Sequence, residues 1–160
     1  MTKRTIEPVG GPAELLLVED NWGDVLLAQD AFRRAKIRNH LAVAVDGEEA
    51  VSMLRKEGRY RDQPRPDLVL LDLNLPRMDG REVLHQIRSD PALRAIPVIV
   101  LAGSSGEADL LTSSGIMADG FVVKPVTFDR LEEAVGSIDS FSFTTVMLPP
   151  AATREGADAG

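Results

Sequence analysis

An α/β fold on a doubly wound, five-stranded parallel sheet is what this sequence predicts, and three observations predict it. Five short runs rich in Val, Leu and Ile recur along the chain, none of them alternates apolar with polar residues, and segments of helical periodicity lie between them. Near-continuous hydrophobicity is what strands need when helices cover both faces of their sheet. Repeated βα alternation with short links implies a sheet wound in both directions, in which ligands sit at the carboxyl ends of the strands near the switch point.

Taken in order, residues 1–12 carry Pro8, Gly10, Gly11 and Pro12 and read as a flexible tail, so the folded body starts at 13. The strand candidates are residues 15–18, 41–45, 68–71, 98–101 and 121–123. After the first, Val25, Leu26, Ala28, Phe32 and Ala35 form an apolar helical stripe; after the last, Phe128, Leu131, Val135 and Ile138 form another at steps of three to four. Asp79 with Glu82, and Ser104 with Glu107, each have the spacing of a capping box, in which a short oxygen side chain and a Glu satisfy the free amides of a helix start. The body runs from 13 to 139. Residues 140–148 alternate at first and then turn apolar, an extended segment with more apolar surface than a bare tail needs; residues 149–160 are small, polar and Pro-led, a second flexible tail.

Composition narrows the function. The 160 residues suffice for one domain, and 44% hydrophobic content supports a core. A formal net charge of -7 supplies no cationic field for phosphate backbones or anionic lipid, so neither nucleic acid nor membrane is expected as a partner. The chain has no cysteine, which excludes disulfides, thiolate metal sites and cysteine nucleophiles. No apolar run reaches the roughly 18 residues that span a bilayer, and the expected location is the cytoplasm.

The strand ends carry the chemistry. The first ends in Glu19-Asp20-Asn21, the third in Asp72-Leu73-Asn74-Leu75-Pro76, the fourth in Ala102-Gly103-Ser104-Ser105 and the fifth in Lys124-Pro125. If strands one and three are neighbours, three carboxylates meet on one rim, and their repulsion calls for a proton or a cation. Mg²⁺ fits, because it takes carboxylate, carbonyl and water oxygens, and the two histidines, His40 and His85, lie away from this rim. Lys124 is restricted by the proline after it, at a junction suited to a cis bond, and supplies a point charge for an anion beside the metal. Phosphoryl chemistry is the natural fit.

These residues resemble the receiver domain of bacterial two-component response regulators, through Leu-Leu-Leu-Val-Glu19-Asp20-Asn21, Leu-Leu-Asp72-Leu-Asn-Leu-Pro76-Arg-Met-Asp79-Gly80 and Gly120-Phe121-Val-Val-Lys124-Pro125. The resemblance covers the body from 14 to about 138. It implies the flavodoxin-like (βα)5 receiver fold and a phosphorelay in which Asp72 attacks a phosphoryl group carried by a histidine kinase and becomes an aspartyl phosphate. It further implies that Asp20 and Asp72 bind the metal directly and Glu19 through water. The main-chain carbonyl of Asn74 completes the protein ligands, and Lys124 contacts the phosphoryl oxygens. Such a chain is a signalling phosphoacceptor and no enzyme beyond self-catalysed transfer and hydrolysis.

One position departs from the family. Where the fourth strand normally ends in a Thr or Ser that binds a phosphoryl oxygen, this chain has Ala102. The missing hydrogen bond to a charged group is worth roughly 1.5 to 3 kcal/mol. Gly103 keeps the small neighbour that leaves room for the phosphoryl, and Ser104 or Ser105 either substitutes for the hydroxyl or caps a helix. The aromatic switch position falls on Phe121, which is equally readable as a core residue. Trp22, just after the acidic pair, either packs over the metal rim, docks a kinase, or is an exposed aromatic at a helix start.

The remainder after the body is too short for a DNA reader, so output is expected through protein contacts. The segment 140–148, together with Asp-Leu-Asn-Leu-Pro around Asp72, is similar to single-domain regulators associated with bacterial phytochrome kinases. That similarity implies a light-sensing histidine kinase as donor and a homodimer through the fourth and fifth helices and the last strand. The polar stretch 57–66 reads as a solvated loop. A haloacid dehalogenase-like phosphatase would need a second Asp where Asn74 stands. A flavodoxin would place its phosphate loop where Glu19 and Asp20 repel phosphate. The remaining alternative is a degenerate receiver that acts as a phosphorylation-independent interaction module because of Ala102.

Overall fold

The computed structural model describes residues 13–34 and 39–136. Five strands form one parallel sheet in the order β2-β1-β3-β4-β5: β1 (Ala13–Val18), β2 (Asn39–Ala44), β3 (Leu68–Asp72), β4 (Val98–Ala102) and β5 (Gly120–Val123). The helices are α1 (Trp22–Arg34), α2 (Gly47–Leu54), α3 (Gly80–Ser89), α4 (Ser105–Ser113) and α5 (Phe128–Gly136), with a 3-10 turn at Gly58–Tyr60. The predicted (βα)5 fold is the observed one. The tails 1–12, 140–148 and 149–160, and the stripe positions Ala35 and Ile138, lie outside the described residues.

The side-chain alternation of each strand splits the core in two. Leu15, Leu17, Leu68, Leu70 and Ile99 face one side, where Val25, Ala28 and Phe32 of α1 and Leu131 and Val135 of α5 pack on them. Leu16, Val18, Val69, Leu71 and Val100 face the other, against Leu54 of α2, Val83 and Ile87 of α3, and Leu111 of α4. Both faces of β1, β3 and β4 are thus covered, which is why these strands show no polar alternation. Leu26, placed in the buried stripe by its spacing, is exposed instead; Ala31 fills that face of α1.

Capping fixes where helices start. Asp79 and Ser104 each accept from the amide three residues on, at 3.1 Å, as the spacing predicts. The returning Glu deviates from the box: Glu107 accepts from the Gly103 amide, one residue before the cap, and Glu82 turns to Gln86. The same device starts α2, where Asp46 accepts from Glu49 N at 2.8 Å and Glu49 from Val45 N at 2.9 Å. Val45, predicted in the second strand, therefore belongs to the turn. The stretch 57–66 is more than solvated loop: Tyr60 packs against the core and donates to Glu49 Oε2 at 2.7 Å, and Arg65 Nε donates to Leu54 O.

Candidate functional site

The register puts the acidic ends together. Val18 of β1 lies opposite Leu71 of β3, so Glu19 and Asp72 each stand one step further along neighbouring strands. Ligand oxygens of Glu19, Asp20 and Asp72 all lie within 4.8 Å of one another. Ala102 pairs with Val123, which brings Lys124 to the same rim from β5, where its amide donates to Ala102 O at 2.8 Å. The Lys124–Pro125 bond is cis.

Lys124 is the hub. Its Nζ lies 2.9 Å from Asp72 Oδ2, 2.9 Å from Glu19 Oε1 and 3.1 Å from Asp24 Oδ2. The Asp72 and Asp24 contacts are hydrogen bonds; the contact with Glu19 Oε1 is an ion pair, and this buried oxygen has no hydrogen-bond partner among the described residues. Asp72 also accepts from the Asn74 amide on Oδ1 at 3.0 Å, and Glu19 Oε2 from the Asn21 amide at 3.1 Å. Glu19 is 0% exposed and Asp72 3%, while Asp20 is exposed to solvent at the lip.

Electrostatics follow from that burial. Desolvation pushes the Glu19 carboxyl up to about 7; Lys124 opposes this, nearby Asp72 adds to it, and the Asn21 amide opposes it. For Lys124, burial works against the charged form, but Glu19, Asp72 and Asp24 outweigh it and hold the ammonium charged well above the usual lysine range.

The loop after Asp72 is tightly held. A Cβ on Gly80 would stand 2.4 Å from Leu73 Cα and 2.5 Å from Asp72 O, and one on Gly47 would meet Met78 O at 2.1 Å. Only glycine permits these approaches, so α3 presses directly on the Asp72–Leu73 backbone and α2 on Met78 further along the same loop. Arg77, in the left-handed region at φ 65, adds ion pairs to Glu48 at 3.0 Å and Asp46 at 3.7 Å.

The remaining predicted positions divide. Ala102 is fully buried at the end of β4. Gly103 follows it, its amide taken by Glu107, and the Ser104 hydroxyl caps α4, so it is committed to the helix rather than replacing the absent hydroxyl. Phe121 is half-buried against the core. Trp22 is 62% exposed, so it opens α1 as an exposed aromatic and does not pack over the rim. Asp24 carries no motif signal, because in sequence it is an ordinary acid in the first turn of α1; only the fold brings Lys124 to it.

A divalent cation fits this arrangement: three clustered carboxylates, one carrying a buried oxygen without a hydrogen bond, are hard donors of the kind Mg²⁺ takes. Residues 15–136 match the response regulator receiver domain. Response regulator Rcp1 of Synechocystis sp. is 41% identical over 88% of this chain and 95% of its own. Its Mn(2+)-bound form has a TM-score of 0.68 at 40% identity, covering 86% of this chain and 99% of that one. The phosphorylated cyanobacterial phytochrome response regulator RcpA has a TM-score of 0.69 at 41% identity over 86% of this chain and 99% of its own. The bacteriophytochrome response regulator AtBRR has 0.77 at 38% identity over 90% and 99%.

Proposed function

The chain belongs to the response regulator receiver domain family, and from that premise we propose that it accepts a phosphoryl group from a sensor histidine kinase onto Asp72. The observation that carries the reading is a buried carboxylate at the end of the central strand with an ammonium 2.9 Å from one oxygen and two further acids beside it. Proteins of this family are signalling proteins rather than classical enzymes, and two of the relatives named above, RcpA and AtBRR, are phytochrome response regulators. A phytochrome-type kinase is therefore the donor we propose.

In this reading Asp20, Asp72 and the Asn74 carbonyl hold Mg²⁺ directly and Glu19 through water. When bound, that ion supplies charge neutralisation at the oxygens of the transferring group. The protein's own groups do the rest. The Asn74 amide fixes one Asp72 oxygen, which orients the carboxylate for in-line attack. Lys124 trades its contact with Asp72 for one with the phosphoryl oxygens. Output runs through protein contacts, with homodimerisation over α4, β5 and α5.

Incubation with Mg²⁺ and acetyl phosphate or phosphoramidate, followed by intact mass spectrometry, tests this. One phosphoryl adduct, lost in Asp72→Asn, is the expected result. No adduct from either donor would overturn it in favour of a phosphorylation-independent module, the second reading, which the buried Ala102 in place of a hydroxyl favours.

A further inference from the structure

We propose that Asp24 is a specificity-determining residue of this site: its carboxylate, on the same ammonium that Lys124 presents to Asp72, disfavours doubly charged phosphoryl donors relative to singly charged ones. The inference rests on the reading of Asp72 as phosphoacceptor and deepens it.

Asp24 is built into place. Its amide is held by Asn21 Oδ1 at 2.9 Å, and the Asn21 amide is in turn held by Glu19 Oε2. The acidic strand end thus sets the first turn of α1, and that turn aims Asp24 at Lys124. Of the three carboxylates around the ammonium, Asp24 is the one open to water: its side chain is 26% exposed, against 0% for Glu19 and 5% for Asp72. An ammonium has three N–H donors, and three carboxylates lie within 3.1 Å of it. Any phosphoryl group on Asp72 must draw on a cation already shared with Asp24.

The charge count gives the sign. Glu19, Asp20, Asp24 and Asp72, set against Lys124 and one divalent cation, leave a single negative charge, which disappears if Asp24 is made neutral. The interaction of a fixed charge with an incoming ion scales with the charge of that ion, so a dianion is disfavoured twice as strongly, in free energy, as a monoanion.

Two small donors separate these cases. With acetyl phosphate, a dianion at neutral pH, an Asp72 oxygen bonds to phosphorus as the bond to acetate breaks, and acetate leaves with the electron pair. With phosphoramidate, a net monoanion whose nitrogen is already protonated, the P–N bond breaks and ammonia leaves with the pair. Neither transfer needs a proton from the protein, so the donors differ in charge and not in acid catalysis.

The test measures adduct formation by intact mass spectrometry at saturating Mg²⁺ for the wild type, Asp24→Asn and Asp24→Ala. Removing the charge should raise the phosphoramidate rate about threefold and the acetyl phosphate rate about tenfold, the square relation expected of one fixed charge. The change in the ratio of the two rates should shrink at high salt. Asn keeps an acceptor for the ammonium, so a purely positional role would leave Asp24→Asn like the wild type and only Asp24→Ala altered; that outcome, an unchanged ratio, or slower transfer in Asp24→Asn overturns the proposal. If the wild type forms an adduct that Asp72→Asn abolishes, such a failure is confined to Asp24. If the wild type takes no phosphoryl group from either donor, the phosphoacceptor reading falls and this inference with it.

Discussion

At the scale of single residues, Lys124 has two loads in the proposed function: it neutralises carboxylates before transfer and would serve the phosphoryl group afterwards. Its removal should therefore separate two measurements. Lys124→Ala is expected to lose phosphoryl uptake by more than tenfold, the scale of a charge-assisted hydrogen bond, while Mg²⁺ affinity holds or rises because a competing cation is gone. The emission of the chain's single tryptophan, Trp22, two residues from Asp20, reports the second. Equal losses in both would contradict that division. Glu19 gives a pH dependence. Its folded value of about 7 stands above the ordinary 4.5, so between these the folded chain holds a proton that the unfolded chain has released. The contribution to stability is full below about 4.5 and is lost as pH rises through 7. Relative to Glu19→Gln, the metal-free wild type should lose urea resistance from pH 5 to pH 8; Mg²⁺, which needs the ionised form, should bind more weakly as pH drops below 7. A flat difference across that range would mean that Glu19 is already ionised at pH 5.

At the scale of elements, the strands were legible because burial on both faces leaves a pattern of unbroken apolar residues, and the rim was legible because Glu19, Asp72 and Lys124 each follow such a run directly. What escaped the pattern depends on the third dimension. Asp24 looks like any acid in a first helical turn until β5 delivers Lys124 to it. Leu26 fits a stripe by spacing, yet it is exposed, because the buried face of α1 runs through Val25, Ala28, Ala31 and Phe32. The α2 start at Asp46 has the same signal as those at Asp79 and Ser104 but follows a strand whose residues are only half-buried, which blurred the boundary. Packing of the helix starts against the Asp72 loop is likewise silent in sequence, and it can be tested. Gly80→Ala must move the Asp72–Leu73 backbone, at a cost of about 2 kcal/mol for overpacking, and should weaken Mg²⁺ binding along with the thermal midpoint. A variant with wild-type melting and metal affinity would show that the loop yields freely.

At the scale of the whole molecule, the question is how an event at Asp72 reaches a partner. In the proposed function, Ala102 stands where a hydroxyl would couple the phosphoryl group to the end of β4, next to the proposed dimer face of α4, β5 and α5. Leu110 on α4 is among the largest exposed apolar side chains of the described residues. Leu110→Glu is expected to shift sedimentation toward monomer, and Ala102→Thr to enlarge any change in dimerisation between phosphorylated and unphosphorylated protein. An unchanged sedimentation profile in both would move the contact surface elsewhere.

Because all five strands run the same way, the residues of the proposed site gather at one end of the sheet, and the opposite end is tied separately, for example by the Glu14 amide donating to Asp67 Oδ2 at 2.8 Å. That far end, at the exposed turn of Arg61 and Asp62, is where a fluorophore or a fused reporter can be attached with the chemistry left untouched, which makes the molecule readily convertible into a sensor of its own modification.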